Sequence, residues 1–156
     1  MTRVWANRGS RPRAVRQTQY DYLWMMAAAC PHSGQTHGLF VPFLNGEVVT
    51  LFLKQFSEQL PPDVIAALIW DQAGFHTSGK IEVPHNVRLL RLPPYSPELN
   101  PVENLWHYLK SHHWSNRSYA DYDALIDAAQ DAWNRVCIIP EKIKSICAAP
   151  YLEVGG

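Results

Sequence analysis

Short apolar segments bounded by turn-forming residues are the feature of this sequence that most constrains its fold. They are Tyr20–Cys30, Val64–Trp70 and Val87–Leu92. The first holds eight consecutive apolar residues, from Leu23 to Cys30, and a Pro-His-Ser-Gly turn signal follows it. Runs of this length favour strands buried on both faces. A helix that crosses a bilayer needs about 18–20 apolar residues, so the sequence predicts no membrane span.

Between and after these segments, apolar residues recur at helical spacing. Asn45 is a good N-cap for a helix that ends near Leu60, before two prolines. Because strands come early and helices alternate with them and then close the chain, the order predicts an α/β domain with a mixed sheet. The remaining predicted elements are a hairpin partner strand at Gln35–Phe43, two helices at Pro101–His113 and Tyr119–Arg135, and a short helix from Pro140. Ser118, with Asp121 three residues later, is the predicted opening residue of the helix at Tyr119–Arg135.

Charge is balanced overall but uneven along the chain. The 156 residues, one domain's worth, carry 14 basic and 14 acidic side chains, so the whole molecule is not a polycation. Residues 1–18 form a basic arm or loop, in which arginine forks suit phosphate contacts; a solvated tail fits the composition equally well. The arm's arginines are Arg3, Arg8, Arg11, Arg13 and Arg16.

Three cysteines without a C-x-x-C motif indicate reduced thiols in a cytosolic protein.

Two acids are candidates for chemistry. Asp71 directly follows a predicted strand, at the carboxyl end where open α/β sheets hold ligands, although it also suits a turn cap. Glu103 lies beside an apolar helical stripe, but Asn100, Pro101 and Glu103 also match a capping box. Two carboxylates from a strand end and a nearby helix suit Mg²⁺, and a pair of such ions about 4 Å apart supports phosphoryl transfer.

Histidines offer a rival metal site. His107, His112 and His113 suggest zinc, but their i, i+5, i+6 spacing does not converge on one helical face. His76 lies five residues after Asp71 and is able to approach the same site. A zinc site is therefore the weaker of the two metal hypotheses.

Two longer motifs carry a resemblance to a known family. DQAGFHTS begins at Asp71, and LPPYSPELNPVENLW runs from Leu92 to Trp106. Together they resemble the catalytic domain of DDE transposases, in the bacterial insertion-sequence branch of the mariner superfamily. TRVWA from Thr2 and GSRP from Gly9 resemble the segment that follows the first catalytic strand in that group. The likeness covers nearly the whole chain.

The resemblance implies a ribonuclease H-like fold with three metal-binding carboxylates. Asp71 matches the second acid, Glu103 matches the third, and His76 is a possible accessory residue. The first acid and its strand lie upstream of the arginine-rich segment in relatives, so the resemblance implies a chain truncated at its N-terminus. Asp21 is the one early acid, but it stands at the start of the second strand.

The implied function is DNA transposition. Water hydrolyses a phosphodiester at the transposon end, and the freed 3′-hydroxyl then attacks target DNA. Two Mg²⁺ or Mn²⁺ ions are the implied cofactors, and DNA, a second copy or intact transposase are the implied partners, in the cytoplasm at the nucleoid. With one ligand missing, we expect this chain alone to be inactive or nearly so. The alternatives are a non-catalytic remnant that binds DNA or intact transposase, and another metal nuclease of the same fold.

Overall fold

The computed structural model describes residues 23–71, 80–114 and 119–149. Its first unit is an antiparallel hairpin of β1 (Trp24–Ala29) and β2 (Thr36–Val41), in register from Trp24 opposite Val41 to Ala29 opposite Thr36. Gly34, with φ +75°, forms the turn, and its N–H donates to the Cys30 carbonyl at 2.8 Å. The predicted hairpin is confirmed.

Helix α1 (Gly46–Gln59) follows the hairpin. The Asn45 side chain accepts a hydrogen bond from the Val48 N–H at 2.9 Å, and the helix ends before Pro61 and Pro62, as predicted. Its apolar face is buried through the four side chains Val48, Val49, Phe52 and Leu53.

Strands β3 (Ala66–Trp70) and β4 (Val87–Arg91) form a parallel pair. Within the described ranges, the four strands make two separate two-stranded sheets, β1–β2 and β3–β4, with no ladder between them. The α/β class is confirmed, and both parallel and antiparallel pairs are present. The single mixed sheet that the sequence predicted is not what these residues form.

The C-terminal part is helical. Helix α2 (Val102–Leu109) runs into a π-helical turn at Lys110–Trp114. Helix α3 (Tyr122–Ala132) likewise runs into a π-helical turn, Trp133–Cys137, and α4 (Pro140–Ile146) begins at the predicted proline. The predicted start of α3 at Tyr119 is wrong, because the Asp121 carboxylate caps the helix by accepting from the Ala124 N–H at 2.8 Å. Ser118, the predicted opening residue, lies outside the described ranges.

Two apolar clusters form the core, and β1 lies between them. Met26 and Ala28 contact the cluster of α1, β3 and β4, whereas Met25 and Ala29 contact the cluster of α2, α4 and the second π-helical turn. Successive strand side chains point to opposite faces, so helices cover both sides of β1. The strand is nonetheless only half-buried, with Trp24 48% exposed, which corrects the prediction of burial on both faces.

All three cysteines are free, in agreement with the predicted reduced thiols. Burial raises the pKa of Cys137 to about 12, with Cys147 adding to the rise, and burial alone raises the pKa of Cys147 to about 11. Thiols protonated at neutral pH are poor nucleophiles, so this pair serves packing. Among the described residues there is no helix long and apolar enough to cross a membrane.

Candidate active site

Asp71 stands one residue beyond the carboxyl end of β3. Trp70 and Leu68 pack in the α1 cluster, so strand alternation places Asp71 on the opposite face, away from α1. The Leu92 N–H donates to the Trp70 carbonyl at 2.9 Å and extends the β3–β4 pairing to the strand end. Asp71 is half-buried and has an interaction partner of its own.

Glu103 lies in the first turn of α2, above a buried stripe. Leu105 and Leu109 are fully buried, while Val102 and Trp106 are half-buried, so the predicted amphipathic face is confirmed. Because Glu103 neighbours that stripe, its carboxylate is half-buried rather than free in water. The helix thus fixes one acid at its N-terminal end.

The capping-box interpretation of Glu103 fails on both hydrogen bonds of that motif. In a capping box, the glutamate accepts from the backbone N–H of the cap residue. Here the Asn100 N–H donates to the Pro97 carbonyl at 2.9 Å, within the 3₁₀ turn Pro97–Leu99. The other half of the motif, a bond from the Glu103 N–H to the Asn100 side chain, is not formed either. The Asn100 side chain accepts from the Val102 N–H at 3.3 Å, and the Glu103 N–H donates to the Asn100 carbonyl at 3.0 Å. The Glu103 carboxylate is therefore not needed as a cap.

Electrostatics connect the two acids. The pKa of Glu103 is raised, first by burial and then by the negative charge of Asp71, while the positive charge of Lys110 opposes the rise. A carboxylate perturbs its neighbour's pKa in this way only when the two lie close together. Asp71 therefore lies within electrostatic range of Glu103, although the two acids are 32 positions apart in sequence (103 − 71).

Other predicted site residues are not part of this pair. Within residues 23–71, 80–114 and 119–149, no group of three or more His, Cys, Asp or Glu side chains is placed to hold a metal ion. The zinc hypothesis on His107, His112 and His113 thus has no three-ligand cluster to support it. His76, the early acid Asp21 and the arginines of the arm lie outside the described residues; these arginines are Arg3, Arg8, Arg11, Arg13 and Arg16.

The proline-rich loop between β4 and α2 holds a strained residue. Tyr95 has φ +59° and is fully exposed. A bulky side chain in the left-handed region is unusual, and such strain clusters at functional sites. Because the loop joins the strand beside Asp71 to the helix that bears Glu103, its stiffness helps fix the separation of the two acids.

Sequence reasoning missed Lys110 and Tyr95. Lys110 is seven residues after Glu103, which is two helical turns, so the spacing alone was a signal that the two share one helix face. Nothing in the sequence marked Tyr95 as a residue with positive φ, because glycine or asparagine usually fills such a position.

A comparison with protein families decides the assignment. Residues 1–126 match the model of the DDE superfamily endonucleases. The chain belongs to this family. The chain is also 39% identical, over 125 residues, to the uncharacterized protein y4pE/y4sA of Sinorhizobium fredii strain NGR234, an alignment that covers 80% of this chain and 93% of that protein. No solved structure matches the chain.

The family match implies nuclease or transposase activity for the family in general. It covers β1 to β4, α2 and the start of α3, so both acids lie inside the matched region. The α4 helix and the second π-helical turn lie beyond it.

Proposed function

We propose that this DDE endonuclease is a transposase of the mariner-like insertion-sequence type. It cleaves DNA phosphodiester bonds at transposon ends and joins the freed end to target DNA. The single observation that carries the proposal is the electrostatic coupling of Asp71 and Glu103. Repulsion between two neighbouring carboxylates destabilises the native state. A purely structural role therefore does not explain why these two acids, far apart in sequence, lie near each other.

The donor set fits divalent cations. Carboxylate oxygens are the ligands that Mg²⁺ and Mn²⁺ prefer, and such ions would offset the repulsion that raises the Glu103 pKa. Asp71 and Glu103 would hold the ions from a strand end and a helix start. When bound, the metals would neutralise charge on the reacting phosphate and favour deprotonation of the attacking water. The remaining ligand of a three-acid site would come from outside the described residues.

The protein's own side chains position the DNA. Asp71 and Glu103 sit on elements packed into the two apolar clusters, which limits their movement. Lys110 adds a positive charge near Glu103, where a phosphate oxygen would approach. The arginine-rich arm would contact flanking phosphates and give binding that weakens with salt.

One second candidate is favoured because, within the described ranges, no group of three or more His, Cys, Asp or Glu side chains is placed to hold a metal ion. In that reading the chain is a non-catalytic transposase remnant that binds DNA or intact transposase. Both candidates predict DNA binding that weakens with salt. They differ in whether a divalent metal binds at Asp71 and Glu103.

Calorimetric titration with Mn²⁺ distinguishes the two candidates. The matched variants are the double substitution Asp71→Asn/Glu103→Gln and the control Asp63→Asn/Glu58→Gln, which removes two exposed acids elsewhere. We expect the site variant to bind Mn²⁺ at least about tenfold more weakly, since even outer-shell changes cost that much. The control variant is expected to bind like the wild type.

Cleavage of labelled transposon-end DNA with Mn²⁺ adds a second readout. Cleavage that disappears in the site variant, but not in the control, supports the transposase and contradicts the expectation that this chain alone is inactive. Equal Mn²⁺ affinity in all three proteins, with no cleavage, contradicts it and favours the remnant.

A further inference from the structure

A second surface feature lies on the same helix as Glu103 and is not used by the acid pair. It is a groove of about 420 Å³ between α2 with its π-helical turn and α4. It begins at Asn104, the residue after Glu103, and is called here the α2–α4 groove. Its polar lining residues are Asn104, His107, Tyr108, Ser111, His112 and Ser145.

The lining is rich in hydrogen-bond donors and contains no carboxylate. The Ser111 hydroxyl donates to the His107 carbonyl at 2.8 Å, which orients it along the helix. His112 Nδ1 lies 3.0 Å from the Tyr108 carbonyl. A carbonyl only accepts, so Nδ1 donates to it, and Nε2 donates to a phosphate oxygen when the ring binds as the imidazolium.

An aromatic stack stiffens one wall of the α2–α4 groove. The rings of Tyr108 and His112 lie 4.1 Å apart with planes inclined by 18°. His112 belongs to the π-helical turn, a distortion often found at functional sites. The stack holds an exposed imidazole in one place, so little side-chain entropy remains to be lost on binding.

Positively charged side chains near the groove favour an anionic ligand. Lys110 and Lys144 are exposed and directly precede the lining residues Ser111 and Ser145. Lys144 has an ion-pair partner in Glu141 at 3.6 Å, but Glu141 is 83% exposed, and such pairs contribute little. An approaching phosphate therefore meets donors and lysines first.

We infer that the α2–α4 groove binds the sugar–phosphate backbone of DNA next to the site of cleavage. His112 lies nine residues after Glu103, about 14 Å along the helix axis at 1.5 Å per residue. Nine residues are two and a half helical turns, so the DNA strand would pass around the helix and the groove would hold a phosphate several nucleotides from the reacting one. This inference rests on the proposed function, because it assigns the groove to the same DNA.

DNA binding in EDTA tests the groove separately from metal chemistry. The measurement is fluorescence anisotropy of a labelled 20-base-pair duplex with the full chain. Ser145→Asp places a carboxylate in the groove, and the control Asn134→Asp makes the same charge change at an exposed position outside it. We expect Ser145→Asp to weaken binding at least about tenfold at 0.1 M salt, and the control by less than about twofold.

A second variant covers the histidine. His112→Ala is expected to weaken binding about threefold or more and to reduce the salt dependence by about one phosphate contact. The thermal midpoint of each variant verifies folding, and shifts of the His112 ring signals on adding DNA give a direct contact readout.

The outcomes separate the two proposals. If the folded groove variants bind DNA like the control, or if the wild type binds no DNA, the groove inference is overturned. If the groove variants lose affinity but the acid pair binds no metal, the groove stands and the transposase proposal fails.

Discussion

His37 is a titratable side chain held in an apolar setting. It lies on β2, is 8% exposed, and packs against the rings of Phe52 and Phe56 on α1, with ring centroids 5.0 and 6.0 Å away. Its Nδ1 lies 3.1 Å from the Gln59 side-chain oxygen, and within the described part of the chain its buried Nε2 has no hydrogen-bond partner. Burial lowers the pKa of His37, more than Gln59 raises it.

His37 therefore makes stability depend on pH. The unfolded chain gains a proton near pH 6.5, while the native state resists protonation. Stability is then fully present above about pH 6.5 and falls as the pH drops below it. We expect thermal melts from pH 7.5 to 5 to show a smaller loss for His37→Leu than for the wild type, by up to about 1.4 kcal/mol per unit of pKa shift.

His85→Gln is the matched control, because His85 is exposed and is not packed against the apolar side chains that surround His37. Its melting profile is expected to follow the wild type. If His37→Leu has the same pH profile as the wild type, His37 is not held neutral in the native state.

Close packing between elements is sharpest where β2 meets the second π-helical turn. A Cβ atom on Gly38 would lie only 2.4 Å from the Trp133 ring, and Phe40 meets the same ring edge-on at 6.2 Å. The Thr36 hydroxyl also donates to the Cys137 carbonyl across this junction. The hairpin is thus fitted to the C-terminal helices through two glycines, Gly38 against Trp133 and Gly34 against the Pro140 backbone.

Gly38→Ala is expected to destabilise the protein by about 1–3 kcal/mol, the usual cost of overpacking. The cause is the Trp133 ring, so the same substitution is expected to cost much less in a Trp133→Leu background. Urea unfolding of the four proteins of this double-mutant cycle gives the coupling energy. A cost for Gly38→Ala that is equal in both backgrounds would contradict this account.

Most elements were predictable because local chemistry fixes them. Asn45 caps α1, two prolines end it, and Pro140 opens α4, all from residues within one turn of the boundary. The start of α3 was wrong because Ser118 and Asp121 are both good caps, and sequence alone cannot choose between them. The π-helical turns have no sequence signal, since they depend on how Trp114 and Trp133 pack.

The candidate site was partly predictable for the same kind of reason. Asp71 follows from its place after an apolar strand, and Glu103 from its place beside an apolar stripe. Their proximity depends on how the β4–α2 loop turns, and the strained Tyr95 within it gave no signal. The division into two sheets was likewise hidden, because strand pairing is a long-range property.

On the scale of the whole molecule, the described residues cover one face of the β3–β4 sheet with α1 and leave apolar side chains exposed on the other. Leu68 and Leu89 pack against the α1 cluster, but Leu90 on the other face is 52% exposed, and Ile65 before β3 is 64% exposed. A two-stranded sheet is marginal by itself and has edges that can pair with another chain. These features together favour association through this sheet.

We expect concentration-dependent self-association in sedimentation velocity, with larger species growing between about 5 and 100 µM protein. A charge on the open face opposes such pairing, so Leu90→Lys is expected to shift the population toward monomer. Ala148→Lys, at an exposed position after α4, is the matched control and is expected to associate like the wild type. A wild-type protein that stays monomeric over this range, or a Leu90→Lys protein that associates equally well, would show that another surface governs assembly.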